Sequence, residues 1–129
     1  MLAVASLGGS LAEGLAAKGA TGAIGATGRA GEAALAELGG ESQVFFRTSQ
    51  GARYVDQLVS GIAHESKVGA SSLTKLARSQ IAKDAELLST GQVKKVVWHF
   101  FKSAATGKGG PSGPLRDELI KNGIEVLVH

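Results

Sequence analysis

A chain of 129 residues with 43% hydrophobic content and a formal net charge of +3 holds one domain with a modest core. It contains no cysteine, which excludes disulfides, thiolate metal centres and cysteine nucleophiles. The charge is uneven: residues 1–41 carry two basic and four acidic side chains, residues 42–129 twelve and seven, so the larger part suits a polyanionic partner.

The apolar start, residues 1–7, is cut by Gly8-Gly9-Ser10. It is too short to span a bilayer and lacks the basic start of a signal peptide, so no membrane association is expected. Residues 1–28 are Ala/Gly-rich, with glycine at 14, 19, 22, 25 and 28, and read as a linker or arm that buries little. The folded domain is expected over residues 29–129. It opens with a short helix over 29–38, where Ala33, Leu35, Ala36 and Leu38 precede a Gly39-Gly40 stop. Glu32, Glu37 and Glu41 lie on or just beyond that helix and suit a solvated face.

Residues 43–48 read as a strand and 49–51 as a turn; two more strands, 53–59 and 62–68, flank the turn signal Ser60-Gly61. If those two residues are the whole turn, Val59 faces Ile62. Asp56 then stands opposite Glu65 and Tyr54 opposite Lys67, all on one face. Like charges directly opposed are destabilising. A hard divalent ion such as Mg²⁺ reverses that cost by taking one or two carboxylates and leaving its other positions to water and phosphate. Lys67 beside it can orient or deprotonate a water, or neutralise charge on a phosphate.

Gly69 breaks the third strand, Ser71 or Ser72 is placed to cap, and residues 73–90 form a helix closed by Gly91. Leu73, Leu76, Ala77, Ile81, Leu87 and Leu88 make its apolar arc. Gln80 and Asp84 fall inside that arc, so both need polar partners beneath the helix. Lys83 at its edge is a candidate phosphate contact. Residues 93–101 are the strongest strand, with Val96, Trp98 and Phe100 on one face and Lys95, Val97, His99 and Phe101 on the other. A Gly-rich loop over 103–113 leads to a helix from Pro114, stopped by Gly123, and a strand over 124–128. This strand-helix-strand unit makes the last two strands parallel. The loop lacks the order of a phosphate-binding P-loop, although Lys108 on it can reach a nucleic-acid backbone. His99 reads as a core-edge residue or a substrate contact. His64 points away from the Glu65 face.

Asp56, an eight-residue gap and Glu65-x-Lys67 resemble the core of the PD-(D/E)xK nuclease superfamily, the restriction-endonuclease fold, with Val55 where the family pattern has proline. The resemblance implies an α/β chain with a mixed sheet, an αβββαβ core with a further helix and strand, and a metal-dependent nuclease acting on DNA in preference to RNA or tRNA. It implies Asp56 and Glu65 as ligands of Mg²⁺ or Mn²⁺, with Lys67 catalytic and Gln80 supporting the site from the helix. Gly-Ile-Ala-His-Glu-Ser-Lys-Val-Gly, Gln-Ile-Ala-Lys-Asp and Val-Val-Trp-His-Phe-Phe behind an Ala/Gly-rich arm are similar to C-terminal toxin domains of bacterial polymorphic toxins. Those act in the target-cell cytoplasm after delivery within a larger secreted protein, and a cognate immunity protein neutralises them in the producer.

Two other readings stay open. One is metal-independent RNA cleavage with His64, His99 or Glu65 as general acid and base. The other is a non-catalytic basic module that binds nucleic acid or protein. No aromatic platform for single strands stands out in the sequence.

Overall fold

The computed structural model describes residues 23–25 and 27–129. Most of the expected arm, residues 1–22 and 26, lies outside the described residues. A two-residue strand β1 (Ala23–Ile24) precedes helix α1 (Gly28–Ala36). Thr27 caps α1 by accepting from the Ala30 amide at 3.3 Å. The meander follows as β2 (Glu41–Thr48), β3 (Gly51–Val59) and β4 (Ile62–Val68). Then come a short β5 (Ala70–Ser71), α2 (Lys75–Ser89), β6 (Lys95–Ser103), β7 (Gly110–Pro111), α3 (Gly113–Lys121) and β8 (Glu125–Val128).

Several boundaries differ from expectation for local chemical reasons. Helix α2 starts after Thr74, not Ser71 or Ser72, because the Thr74 hydroxyl accepts from the Ala77 amide at 3.0 Å. Ser71 is instead drawn into the β5–β7 pairing, opposite Pro111. The strand expected over 93–101 runs from Lys95 to Ser103, and Val93 is buried in the core outside it.

The chain is mixed α/β, with one mixed sheet and three helices among the described residues. Its strands run β2-β3-β4-β6, and both β8 and β1 lie along the far side of β6. The meander is antiparallel. β4 with β6 and β6 with β8 are parallel, as a strand-helix-strand crossover requires.

Helices cover both faces of the sheet. Under α2 and α3, Val55, Ala63, Val96, Trp98 and Phe100 pack against Ile81, Leu87, Leu115 and Leu119. On the other face Leu35 of α1 packs against Phe101 and Val68. A side chain at Gly31 would meet the Ser66 hydroxyl at 2.7 Å, so glycine lets α1 lie directly on β4. No helix among the described residues is long and apolar enough to cross a membrane.

The β3–β4 turn forms as expected. Ser60 and Gly61 both have positive φ, 51° and 81°, the pattern of a two-residue hairpin turn that matches strand twist. The pairs Val59↔Ile62, Leu58↔Ala63 and Gln57↔His64 follow. There the ladder ends.

The strict alternation read from the sequence breaks at that point. Leu58 and Val55 both pack into the core under α2, whereas Gln57 donates to the Gly39 carbonyl beside α1. Across the strand pair, Gln43 takes a left-handed φ of 52°, at a cost of about 1–2 kcal/mol for a residue with a Cβ. Val44 and Phe46 then join the α2 core. The consequence is that β3 changes faces between Val55 and Gln57.

Candidate functional site

Glu65 and Lys67 alternate along β4 and both reach the face under α2. Lys67 Nζ lies 3.4 Å from Glu65 Oε2 and donates to Gln80 Oε1 at 2.7 Å. It also sits 4.9 Å from the centre of the Trp98 ring, a cation–π distance. Gln80 and Asp84 are one helical turn apart on α2, and each has the polar partner that its place in the apolar arc demands. Asp84, 0% exposed, accepts from Arg53 Nε at 2.8 Å, Arg53 Nη2 at 3.1 Å and Trp98 Nε1 at 2.9 Å.

Arg53 completes the cluster. Its Nη2 donates to Glu65 Oε1 at 3.2 Å and its Nη1 to the Tyr54 carbonyl at 2.7 Å. The face change in β3 is what puts it there. Sequence reading missed Arg53 and Trp98 as site residues. The usable signal was Asp84 itself, since a carboxylate inside an apolar arc calls for a buried cation and a further donor.

Burial dominates the electrostatics. It pushes the Glu65 carboxyl up to about 7; Arg53 and Lys67 pull it back, while Asp56 and Asp84 push further. For Arg53 burial favours the neutral form, but hydrogen bonds and charge from Asp84 and Glu65 outweigh it and hold the guanidinium protonated. Lys67 and Gln80 are partly exposed, whereas Arg53, Glu65, Asp84 and Trp98 are buried. Lys67 lines a cavity of about 230 Å³ with Ser71, Ser72, Thr74, Ala77 and Leu115.

The expected face-sharing of Asp56 and Glu65 does not form. The Asp56 carboxylate accepts from the Ser66 amide at 2.8 Å, the Ser66 hydroxyl at 3.0 Å and Gln43 Nε2 at 3.2 Å. Ser66 is a residue of the α1 face, touching Gly31. Asp56 thus fills the gap where β3 and β4 part, on the side away from Glu65, close enough for its charge to act there. Tyr54 likewise stands away from Lys67, exposed and against Phe45. The cause is the break in alternation at Gln43 and Asp56. Among the described residues no group of three or more His, Cys, Asp or Glu is placed to hold a metal.

The other candidates lie apart. Lys83 is tied to the Ala52 carbonyl at 3.1 Å on the exposed side of α2. Lys108 is exposed on the loop before β7. Glu32 on α1, Glu37 at its C-terminal cap and Glu41 at the start of β2 are exposed.

His64 and His99 are 1% and 0% exposed and belong to the α1 face. All three histidines of the chain form one row: His64 Nδ1 to His99 Nε2 is 2.8 Å and His99 Nδ1 to His129 Nε2 is 2.9 Å. Burial lowers His64 to about 4, with Glu125 raising it and Lys95 lowering it. Burial and the two neighbouring rings hold His99 well below the usual range. Burial lowers His129 as well.

Comparisons of the chain with protein families, with curated proteins and with solved structures give no match.

Proposed function

We propose that this domain is a nuclease that hydrolyses phosphodiester bonds at the Glu65–Lys67–Gln80 cluster. One observation carries the reading: Lys67 of a Glu-x-Lys strand bridges Glu65 and a glutamine from the next helix, at 3.4 and 2.7 Å. Helix, three-strand meander, helix and strand follow in the order that the PD-(D/E)xK resemblance implies. A buried carboxyl titrating near neutrality suits proton transfer from water. The Lys67 ammonium, on a residue that lines the cavity, suits charge developing on a phosphate.

Mg²⁺ or Mn²⁺ is what the resemblance implies. Both Glu65 oxygens already face cations, Oε1 Arg53 at 3.2 Å and Oε2 Lys67 at 3.4 Å, so an ion at Glu65 would take over the Oε2 contact, with Glu65 as its single carboxylate ligand and water and phosphate at its other positions. Asp56 does not present its carboxylate to the same face, so the two-carboxylate arrangement is not part of the proposal. A bound ion would supply polarisation of the phosphate and acidification of water. The likeness to polymorphic toxins extends the proposal to an antibacterial toxin domain, delivered within a larger protein and held by an immunity protein in the producer.

The metal-free RNA-cleaving reading keeps Glu65 as its base but loses both histidines, which are buried on the other face. Incubation with plasmid DNA, total RNA and tRNA, each with Mg²⁺, Mn²⁺ or chelator and beside Lys67→Ala, separates the readings. Cleavage that needs the ion and Lys67 supports the proposal. Cleavage in chelator leaving 2′,3′-cyclic phosphate ends supports the metal-free reading, and binding without cleavage supports a non-catalytic module.

A further inference from the structure

We infer that nucleic acid is held by its phosphate backbone across the end of the sheet where β5 and β7 pair, and reaches Lys67 from there. The surface rests on the nuclease reading for its purpose, but its own evidence is separate. β4 and β6 run parallel and end on this side, at Val68 and Ser103. The segments that leave them are joined by the pairs Ala70↔Gly110 and Ser71↔Pro111 and by the Ser112 amide, which donates to the Ser71 carbonyl at 2.7 Å. Two cavities lie along this junction. One, of about 230 Å³, is lined by Lys67 and Thr74; the other, of about 290 Å³, is lined by Gly109, Gly110 and Ser112. They share Ala70, Ser71 and Ser72, so a ligand in the second adjoins the one that holds Lys67.

Charge sets the kind of ligand. Residues 66–82, from β4 into α2, contain Lys67, Lys75 and Arg78 and no acid; residues 99–116, from β6 into α3, contain Lys102, Lys108 and Arg116 and no acid. The five beyond Lys67 are exposed, and none of them forms an ion pair among the described residues. Three adjoin the cavity walls: Lys75 follows Thr74, Lys108 precedes Gly109 and Arg116 follows Leu115. Of the acids next to these segments in the chain, Glu65 and Asp84 are held by Arg53, and Asp117 stands exposed beside Arg116. Separate unpaired cations around hydroxyl-bearing hollows suit a repeating phosphate backbone better than a single phosphate, and they position it without reading its bases.

The test is fluorescence anisotropy in chelator, across a salt series, with labelled single-stranded and duplex oligonucleotides. Lys75→Gln/Lys108→Gln/Arg116→Gln is expected to weaken binding about tenfold and to flatten the slope of log affinity against log salt by about 2–3, as three lost phosphate contacts require. Arg47→Gln/Lys94→Gln/Lys121→Gln removes the same charge from exposed positions elsewhere and is expected to weaken binding less than about twofold. Wild type that binds neither oligonucleotide, or equal losses in the two triple variants, overturns the surface. Cleavage is read separately. Binding as expected by a wild type that cuts nothing removes the nuclease reading and leaves the surface standing. Cleavage by the first triple variant with the wild-type KM removes the surface and leaves the nuclease reading.

Discussion

Arg53 Nε stands 2.8 Å from Asp84 Oδ1, and both side chains are almost wholly buried. This pair ties the meander to α2 and places Arg53 Nη2, which also donates to Asp84 Oδ2, on Glu65. Breaking one partner of a buried ion pair leaves the other charge uncompensated. Asp84→Ala should therefore cost about 3–5 kcal/mol in urea unfolding. Asp84→Leu combined with Arg53→Met should cost clearly less than Asp84→Ala alone. Equal losses would mean that the pair is incidental to stability.

Lys67 is held by Gln80 through a single neutral acceptor at 2.7 Å. Gln80→Ala should cut phosphodiester cleavage roughly fivefold, the equivalent of one hydrogen bond of about 1 kcal/mol. Folding stability should change by less than about 1 kcal/mol, because the site is only partly buried. Gln80→Glu, which keeps an acceptor facing Lys67, should recover part of the rate. Loss of rate in step with loss of folded protein would count against a positioning role.

The histidine row makes folding acid-sensitive. His64 titrates near 4 in the folded chain against 6.5 ordinarily, so below pH 6.5 the unfolded chain binds more protons. The stability is fully present above pH 6.5 and is lost as pH falls toward 4, by about 3 kcal/mol for His64 alone. Urea melts of Glu65→Gln, which lacks the opposing carboxyl slope, should show this fall between pH 7 and pH 5, and adding His99→Phe should lessen it. Burial of the His64 ring supplies the slope; the charged groups acting on it, Glu125 and Lys95, oppose one another and are paired with each other.

Glu65 works in the opposite direction. Its carboxyl is raised from 4.5 to about 7, so the folded chain binds the extra proton between those values. Its contribution is present below pH 4.5 and is lost as pH rises through 7. Glu65→Gln should accordingly be more stable than wild type at pH 8 and no more stable at pH 5. The two slopes partly cancel in the wild type, which is why the variants are compared. If Mn²⁺ sits on Glu65, millimolar Mn²⁺ should raise the wild-type Tm and leave that of Glu65→Gln unchanged. Equal shifts in both would place the ion elsewhere.

Much of the architecture was legible because it rests on local signals. The Ser60-Gly61 turn fixed the first three pairs of the hairpin, and Gly39-Gly40, Gly91 and Gly123 marked helix ends. Gln80 and Asp84 were legible as polar intrusions in an apolar arc. The face change in β3 was not, since it depends on a left-handed Gln43 with no glycine to announce it. That one irregularity moved Asp56 away from Glu65 and brought in Arg53. The histidine row and the Phe45–Tyr54 pair join residues 35, 30 and 9 positions apart, contacts that only a known register reveals.

The central claim is that Glu65 and Lys67 cleave phosphodiester bonds. It is tested most directly by incubating wild type, Glu65→Gln and Lys67→Ala with plasmid DNA and total RNA in Mg²⁺, after circular dichroism shows all three folded. Cleavage by wild type alone, abolished in both variants and by chelator, is the predicted result. Wild-type protein that leaves every substrate intact, or variants that cut as well as wild type, would contradict it.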